Sequence, residues 1–345
     1  MKRRWITALA ALTALSLAAC GGGDEDPAQP IGPASTGPTE DPAGSIGRIV
    51  FNRGEPGTGN AVTYTINPDG SDEERLFLEG GSESARWSPD GTEIHIFCCS
   101  DGMVAHFLDP STGELRGLAP PDPAVELFCG GAWTPDGERV ACEGYGVEDP
   151  SRNGIYWVRS SDGGGLEQIT SNPRGEDIPS GDFSPDGGRL VFVRSDEKGG
   201  AGIFVVDVDG SGLRRLSGRD QLVDDIFGGS WSPDGSQILF VVRETPDHHK
   251  EIWVMNADGS SRHQLEIEGT CGGPLSDPGS FGCYSPSWSP DGTKIVFVRS
   301  TLDPSAPAGF YENVYTVNAD GSDLFRLTNG GLDDNPDWGM PPPTG

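Results

Sequence analysis

Short apolar runs rich in β-branched residues recur along the chain, and turn residues separate them. In the stretch WSPDGTKIVFVRS, from Trp288 to Ser300, an aromatic residue precedes a Ser-Pro-Asp-Gly tetrapeptide and an apolar run follows it. Pro and Gly break helices, and Ser, Pro, Asp and Gly in that order favour a tight turn. The β-branched run is typical of a strand. The stretch therefore predicts a β-hairpin.

The hairpin pattern occurs four more times. The other copies are WSPDGTEIHIF from Trp87, WTPDGERVAC from Trp133, FSPDGGRLVFV from Phe183 and WSPDGSQILFV from Trp231. Successive turn prolines are 46, 50, 48 and 57 residues apart. A second pattern of strand, Asp-Gly turn and strand lies between the hairpins, as in ENVYTVNADGSDLFRL from Glu312. Each unit thus predicts four antiparallel strands, which is the content of one propeller blade.

The two ends of the repeat region supply the missing parts of one further blade. The chain enters the repeats at Ile49–Phe51, which matches a second strand, and leaves them at Asn335–Trp338, which matches a first strand. Pairing these two segments closes the ring and hides both sheet edges. The sequence therefore predicts an all-β, six-bladed propeller over residues 47–339, with the N- and C-terminal strands paired in one blade.

The units resemble the TolB-type, WD-like propeller repeats of bacterial envelope proteins. The resemblance rests on the pattern Pro-x-Trp-Ser-Pro-Asp-Gly, an apolar strand, and strand-Asn-Ala-Asp-Gly-Ser, and it extends over most of residues 47–339. TolB itself carries an α/β domain before its propeller, which we do not expect before Gly47, so its partners are not carried over. Prolyl-oligopeptidase-like enzymes add a hydrolase domain to a propeller, but this sequence has no G-x-S-x-G motif.

The N-terminal residues predict export and lipidation. Basic residues at Lys2–Arg4 and an apolar segment over residues 6–19 are typical of a signal peptide. The quartet LAAC resembles the lipobox of bacterial lipoproteins, which implies cleavage before a lipidated Cys20; an ordinary signal peptide is the alternative. Residues 20–46 predict a disordered tether and residues 340–345 a disordered tail. We expect a lipid anchor on the outer side of the cytoplasmic membrane, or in the outer membrane or periplasm.

Charge limits the partners of the protein. The chain has 24 Lys and Arg against 53 Asp and Glu, a formal net charge of −29. Binding to nucleic acid depends on basic residues that neutralise phosphates, so we expect no nucleic-acid partner. We expect membrane contact through the lipid anchor only, a monomer, and an envelope protein, peptide or glycan as the partner.

The two ends of every predicted blade differ. The SPDG and NADGS turns are short and uniform, and we call their end the turn face. The opposite end, the variable face, carries loops of different length and sequence, such as residues 143–153 and 299–311. Since binding usually resides in variable loops on a rigid scaffold, we expect the variable face and channel mouth to recognise a partner. The candidate binding residues are Glu176, Asp177, Asp224, Asp225, His248, His249, Asp333 and Asp334.

The acidic members of this set allow two interpretations. Their oxygens suit a divalent cation at the channel mouth, or they bond to loop amides and hold neighbouring blades together. No loop has calcium-loop spacing, which favours the second interpretation, and we expect no cofactor and no metal. The predicted turn formers are Asp69, Asp207 and Asp209. The histidines that fall within predicted strands are His95, His106 and His263.

The cysteines indicate disulfides. Seven cysteines leave six after lipidation, and export favours disulfides over a zinc site. Cys271 and Cys283 bracket the insertion behind the longest repeat spacing. A symmetric turn would set Cys129 opposite Cys142, whereas a bulge at Gly137 would place them on opposite faces. The remaining two cysteines are Cys98 and Cys99, and the connectivity of the six stays open.

Two functional classes remain. Repeat-only content, a tether and the lack of a catalytic constellation favour a non-enzymatic binding scaffold. The alternative is a propeller hydrolase or lyase that acts on a saccharide or peptide in the central channel, and it predicts His, Glu or Asp side chains close together there.

Overall fold

A computed structural model of the chain describes residues 47–55, 61–76, 84–97, 103–195, 200–217, 229–243, 250–267, 271, 281–306 and 308–341. These residues form six four-stranded antiparallel sheets, which are the blades of a propeller. The predicted fold is therefore confirmed. The predicted leader, Cys20 and the tether, together with residues 342–345, lie outside the described ranges. Within those ranges, no helix is long and apolar enough to span a membrane.

Each blade takes its strands in chain order, except that the last strand joins the first blade. Blade 1 consists of β1 (Ile49–Gly54), β2 (Ala61–Ile66), β3 (Glu74–Arg75) and β24 (Asp333–Trp338). Blade 2 consists of β4 (Ser84–Trp87), β5 (Ile94–Phe97), β6 (Ala105–Leu108) and β7 (Leu115–Leu118). Blade 3 consists of β8 (Val125–Trp133), β9 (Arg139–Gly146), a 3-10 helix (Pro150–Arg152), β10 (Gly154–Arg159) and β11 (Glu167–Gln168).

The other three blades follow the same plan. Blade 4 consists of β12 (Asp177–Ile178), β13 (Arg189–Ser195), β14 (Ala201–Asp207) and β15 (Arg214–Arg215). Blade 5 consists of β16 (Ser230–Trp231), β17 (Gln237–Arg243), β18 (Lys250–Asn256) and β19 (His263–Gln264). Blade 6 consists of β20 (Phe281–Trp288), β21 (Lys294–Leu302), β22 (Phe310–Asn318) and β23 (Phe325–Arg326).

Blade 1 closes the ring in the predicted way. Strand β24 pairs antiparallel with β1, with Ile49 opposite Trp338. The Gly339 amide then donates to the Arg48 carbonyl at 3.0 Å. Gly47 has φ +74°, and a Cβ on it would lie 2.0 Å from the Gly339 carbonyl oxygen, so only glycine fits there.

The repeated aromatic residues pack between blades. A buried apolar cluster lies at each of the six blade interfaces, and each contains or contacts the repeat aromatic of the following blade. Trp288, for example, packs with Leu239 and Val254 of blade 5. The aromatic residue of the motif therefore stabilises the ring.

In each SPDG turn, the aspartate accepts hydrogen bonds from donors within or next to the same turn. In the last complete turn, the Ser289 hydroxyl and the Thr293 amide both donate to Asp291, at 2.7 and 3.0 Å, and Gly292 has φ +71°. A Cβ on Gly292 would contact Pro233 of the preceding turn at 3.5 Å, so neighbouring turns touch around the ring. In the second turn type, Asp69 and Asp209 accept amide hydrogen bonds at 2.9 Å as turn formers.

The structure contains two of the expected disulfides, Cys129–Cys142 and Cys271–Cys283. Cys129 lies directly opposite Cys142, but the turn is not symmetric, since Trp133 pairs with Val140 beside it. An irregularity between Cys129 and Ala132 restores the alignment. Of the two alternatives, the one that sets Cys129 opposite Cys142 is therefore present, and the two cysteines do not lie on opposite faces. Cys98 and Cys99 lie outside the described residues.

Candidate binding channel

The inner strands of the six blades surround a cavity of about 350 Å³. Most of its lining residues lie one to three positions before a repeat aromatic, because the inner strand of each blade carries the backbone past the channel at that point. The polar and charged lining residues are Ser84, Arg86, Glu143, Ser180, Asp182, Ser230, Ser285, Ser287, Asn335 and Asp337.

A charged layer crosses the channel at the position just before the repeat aromatics. Arg86 of blade 2 pairs with Asp182 of blade 4, with 2.6 Å between Nη1 and Oδ1. It also donates to the Ser180 carbonyl oxygen at 3.0 Å. The intervening blade leaves room for this side chain, since a Cβ on Gly131 would lie 3.3 Å from the Arg86 side chain. Burial opposes the charge, but Asp182 and Asp337 raise the pKa of Arg86.

Asp337 of blade 1 completes this layer. Its carboxylate accepts from the Trp87 amide at 2.8 Å and from the Ser287 hydroxyl at 3.1 Å. Burial raises its pKa, although nearby Arg86 lowers it. A second cavity of about 280 Å³, lined by repeat tryptophans and turn prolines, lies on the turn-face side and shares Arg86, Asp182 and Asp337 with the first. The charged layer therefore lies between two cavities.

A half-buried glutamate of blade 3 lines the larger cavity. Glu143 accepts a short hydrogen bond from the Tyr145 hydroxyl and stands directly opposite Phe128, which also lines the cavity. Burial and, to a smaller extent, the charges of Glu176 and Asp177 raise the pKa of Glu143 to about 7, although the hydrogen bond from Tyr145 lowers it. Glu143 therefore titrates near neutral pH.

A similar pair occurs across the ring in blade 6. The Tyr284 hydroxyl donates to Glu312, and the Lys250 ammonium lies 4.6 Å from the Tyr284 ring centroid. Burial and the neighbouring Asp334 raise the pKa of Glu312 to about 7, while Lys250 lowers it. Burial also raises the pKa of Asp334. Blades 3 and 6 thus each present a tyrosine-bound carboxyl group.

Two of the predicted binding residues lie in buried ion pairs. Asp177 is 1% exposed and pairs with Arg194 at 2.5 Å, and it accepts from the Thr170 hydroxyl of blade 3 at 2.6 Å. Asp333 is 0% exposed and pairs with Arg53 at 2.6 Å. Both ion pairs lie within one blade, and the hydrogen bond from Thr170 joins Asp177 to the neighbouring blade.

The other predicted residues are separated. The charge of Glu176 raises the pKa of Glu143, and the charge of Asp334 raises the pKa of Glu312. The predicted residues outside the described ranges are Asp224, Asp225, His248 and His249. No group of three or more His, Cys, Asp or Glu side chains could hold a metal ion in the part of the chain that the structure describes.

The three histidines that the structure describes contribute little to the cavity. His95 is fully buried beside Phe107, and neither ring nitrogen has a hydrogen-bond partner among the described residues. Burial, followed by the charges of Arg86 and His106, lowers the pKa of His95 to about 3, so it is neutral. His106 is buried and His263 is exposed at a blade edge.

The charged layer and Glu143 were not predicted from the sequence. The signal for the layer was present, because the position before the repeat aromatic holds Arg86, Asp182 and Asp337 in three copies but Ser230 and Ser287 in two others. The residue type at this position varies among the copies although the residue after it is always aromatic, which indicates that packing of the blades does not require a particular side chain there. For Glu143 there was no comparable signal, since its burial depends on the neighbouring blade.

Comparisons with known proteins agree with this fold. No protein-family model matches the chain. An uncharacterized protein of Agrobacterium fabrum is 29% identical over 224 residues, which cover 61% of this chain and 68% of that protein. TolB from Acinetobacter baumannii superposes with a TM-score of 0.62 at 20% identity, over 86% of this chain and 67% of that chain. Putative TolB from Agrobacterium tumefaciens gives 0.59 at 22% identity, over 82% and 88% of the two chains.

An enzyme shares the same ring. Oligogalacturonate lyase from Vibrio parahaemolyticus superposes with a TM-score of 0.50 at 14% identity, over 83% of this chain and 77% of that chain. At such identities these structures show the fold alone, which is that of a six-bladed, TolB-like propeller. The two disulfides indicate that the protein is exported.

Proposed function

We propose that the protein is a lipid-anchored scaffold of the cell envelope that binds a protein, peptide or glycan through its variable face and channel mouth without catalysing a reaction. The observation that carries the proposal is the cavity lined by all six blades, with unlike polar groups on a repetitive frame. Uniform packing requires the aromatics and turns, but it does not require Arg86, Glu143 or Asp337. Rigid rings that carry variable residues are suited to recognition.

Two substitutions in blade 3 test the use of the variable face. Glu148 is exposed in the loop after β9, whereas Glu138 is exposed in the turn before it. Capture of partners from membranes by full-length protein should be lost with Glu148→Lys and kept with Glu138→Lys, since both change the charge equally. The reverse pattern would contradict the proposal.

The anchor has a separate test. Lipidation at Cys20 fixes the protein to a membrane, so Cys20→Ser should move it to the soluble fraction after cell fractionation. Persistence of the variant in the membrane fraction would refute lipid anchoring while leaving the binding role open.

One observation favours the alternative of a channel hydrolase or lyase. Glu143 lines the cavity with a pKa of about 7, which suits a general acid or base. Turnover of a saccharide or peptide that disappears in Glu143→Gln would support this alternative, and turnover unaffected by the substitution would remove it.

A further inference from the structure

We propose that the larger channel cavity binds an organic cation, namely the ammonium or guanidinium group of a basic peptide segment or of a polyamine. This inference rests on the proposed binding function and specifies the chemistry of its ligand. It depends on the carboxyl groups, the aromatic ring and the free hydroxyl that line the cavity.

The charged lining of the cavity is negative in sum. It includes three carboxyl groups, Glu143, Asp182 and Asp337, and a single guanidinium, that of Arg86. Arg86 is committed to Asp182 through a contact of 2.6 Å. Glu143 and Asp337 therefore face the cavity without a cation paired to them at contact distance. A cationic ligand would supply that charge.

The wall from blade 3 has the composition of a cation site. Phe128 and Glu143 are cross-strand partners on β8 and β9, and both line the cavity. The Phe128 ring lies edge-on to Tyr145, at 6.1 Å between centroids. An aromatic ring beside a carboxylate attracts ammonium and guanidinium groups through the ring quadrupole and the charge together. A bare metal ion would not use the ring in this way.

An unused hydroxyl group lies on the other side of the cavity. Ser230 of blade 5 is 8% exposed and lines both cavities. Its carbonyl oxygen accepts from Trp288, but its hydroxyl has no hydrogen-bond partner among the described residues. Ser287, at the equivalent position of blade 6, donates instead to Asp337 at 3.1 Å. Because Ser230 borders the cavity, its hydroxyl oxygen is available to accept from a ligand N–H donor.

The net charge of the whole protein also favours a cationic ligand. A net charge of −29 attracts cations over long range, and a low-dielectric channel concentrates that field. Basic partners would therefore be steered to the ring before they make contact in the cavity.

Calorimetric titration of the full-length protein in detergent at low salt tests the inference. The probes are an acetylated and amidated tetralysine peptide, spermidine, and the same peptide with acetylated lysine side chains. We expect the peptide or spermidine to bind and the neutral peptide not to bind. Binding of the peptide alone identifies a peptide segment as the source of the cation, and binding of spermidine alone identifies a polyamine.

Variants locate the site. Glu143→Gln should weaken binding at least tenfold, whereas Glu114→Gln, which makes the same charge change at an exposed turn-face position, should alter it less than twofold. If Glu143→Gln fails to fold, Phe128→Leu and Ser230→Ala should each weaken binding about threefold. Equal losses in Glu143→Gln and Glu114→Gln would overturn the inference, because they would reflect net charge alone.

The pH dependence gives a second readout. The groups that face Glu143 are Tyr145 on its own strand, Glu126 opposite Tyr145, and the pair of Glu176 and Asp177 from blade 4, where Asp177 is bound to Arg194. Wild-type affinity should rise from pH 6 to pH 8 as Glu143 ionises, and Glu143→Gln should abolish most of that rise. Absence of binding by both cationic probes, with capture still sensitive to Glu148→Lys, would reject the cation site and leave the binding scaffold standing.

Discussion

Aspartates on the turn face have their hydrogen-bond donors built into the turns, whereas four carboxyl groups in and around the channel are half-buried with fewer donors. In the turn after β16, the Ser232 hydroxyl and the Ser236 amide donate to Asp234 and lower its pKa. The other SPDG turns do the same for Asp90, Asp136, Asp186 and Asp291. These aspartates are stabilised in the ionised form.

The carboxyl groups near the channel show the opposite shift. Burial raises the pKa of Glu143, Glu312, Asp334 and Asp337, and hydrogen bonds do not compensate for it. Both kinds of residue occur in the same repeats and have the same chemistry. The turn-face residues therefore serve the architecture, whereas raised carboxyl pKa values beside a cavity are typical of functional sites.

Ring closure should have the largest effect, because both faces depend on it. A chain that ends at Leu332 lacks β24 and leaves the edge of β1 and the Trp338 position open. We expect the loss of cooperative thermal unfolding, or a fall in Tm of more than about 10 °C. A chain that ends at Pro341 is the matched control and should melt like the full-length protein. An unchanged Tm in the shorter chain would mean that closure does not hold the blades.

The disulfides should come next. Replacing Cys129 and Cys142 by Ser removes a link between β8 and β9, and replacing Cys271 and Cys283 opens the loop before β20. A disulfide that closes a loop of this length reduces the entropy of the unfolded chain and so stabilises the folded protein by about 3 kcal/mol. Each double variant should therefore lose about 2 to 3 kcal/mol in denaturant unfolding.

The two losses should also add, because the bridges lie in different blades. A loss from only one bridge would show that the other closes a segment that is already held by packing. Free thiols that appear in the wild-type protein at these positions would contradict the pairing.

The fold could be predicted from sequence because each blade of the propeller carries the same sequence motif. Five SPDG turns and a terminal half-copy at Trp338 fixed the blade count, the strand order and the closing pair. Local chemistry decides such turns, so single-sequence patterns identify them. The register of Cys129 was harder to predict, because the irregularity before Ala132 places Gly131 against His95 and Arg86 of the preceding blade, which the local sequence does not indicate.

The channel could be predicted in part only. The sequence indicated the variable end, but the predicted Asp177 and Asp333 turned out to be buried partners of Arg194 and Arg53. The pairing follows from the register between first and second strands, which turn symmetry alone does not give. Contacts between blades, such as that between Arg86 and Asp182, join residues 96 positions apart, and no local sequence pattern indicates them.

Removing the half-buried carboxyl group of Glu312 should stabilise the protein at high pH. The folded-state pKa of Glu312 is raised to about 7 by burial and Asp334, above its ordinary value of 4.5, so the folded state binds more protons than the unfolded state between these values. Stability should fall as pH rises through this window. After allowance for the partial exposure of Glu312, the free energy of unfolding of Glu312→Gln should increase by about 1 to 2 kcal/mol relative to that of wild type between pH 4.5 and pH 8.

Chemical denaturation across that pH range measures the gain. Glu114→Gln is the control, since its side chain is exposed on the turn face, and its difference from wild type should stay constant with pH. A constant difference for Glu312→Gln as well would show that water reaches this carboxyl group freely.

An SPDG aspartate should give the smallest effect, and its pH dependence should have the opposite sign. Burial opposes the ionisation of Asp291, but the hydrogen bonds from Ser289 and Thr293 prevail and lower its pKa below 3.8. Asp291→Ala removes acceptors for the Ser289 hydroxyl and the Thr293 amide and should cost about 1 kcal/mol at pH 7. Because the folded-state pKa is lowered, that contribution is present above the unfolded pKa and is lost as pH falls through the folded value. Denaturation curves of Asp291→Ala and wild type should therefore converge as pH falls below the ordinary aspartate value of 3.8, whereas those of Glu312→Gln and wild type diverge from pH 4.5 to pH 8. Parallel pH profiles for the two variants would mean that turn-face and channel carboxyl groups do not differ in the way the geometry indicates.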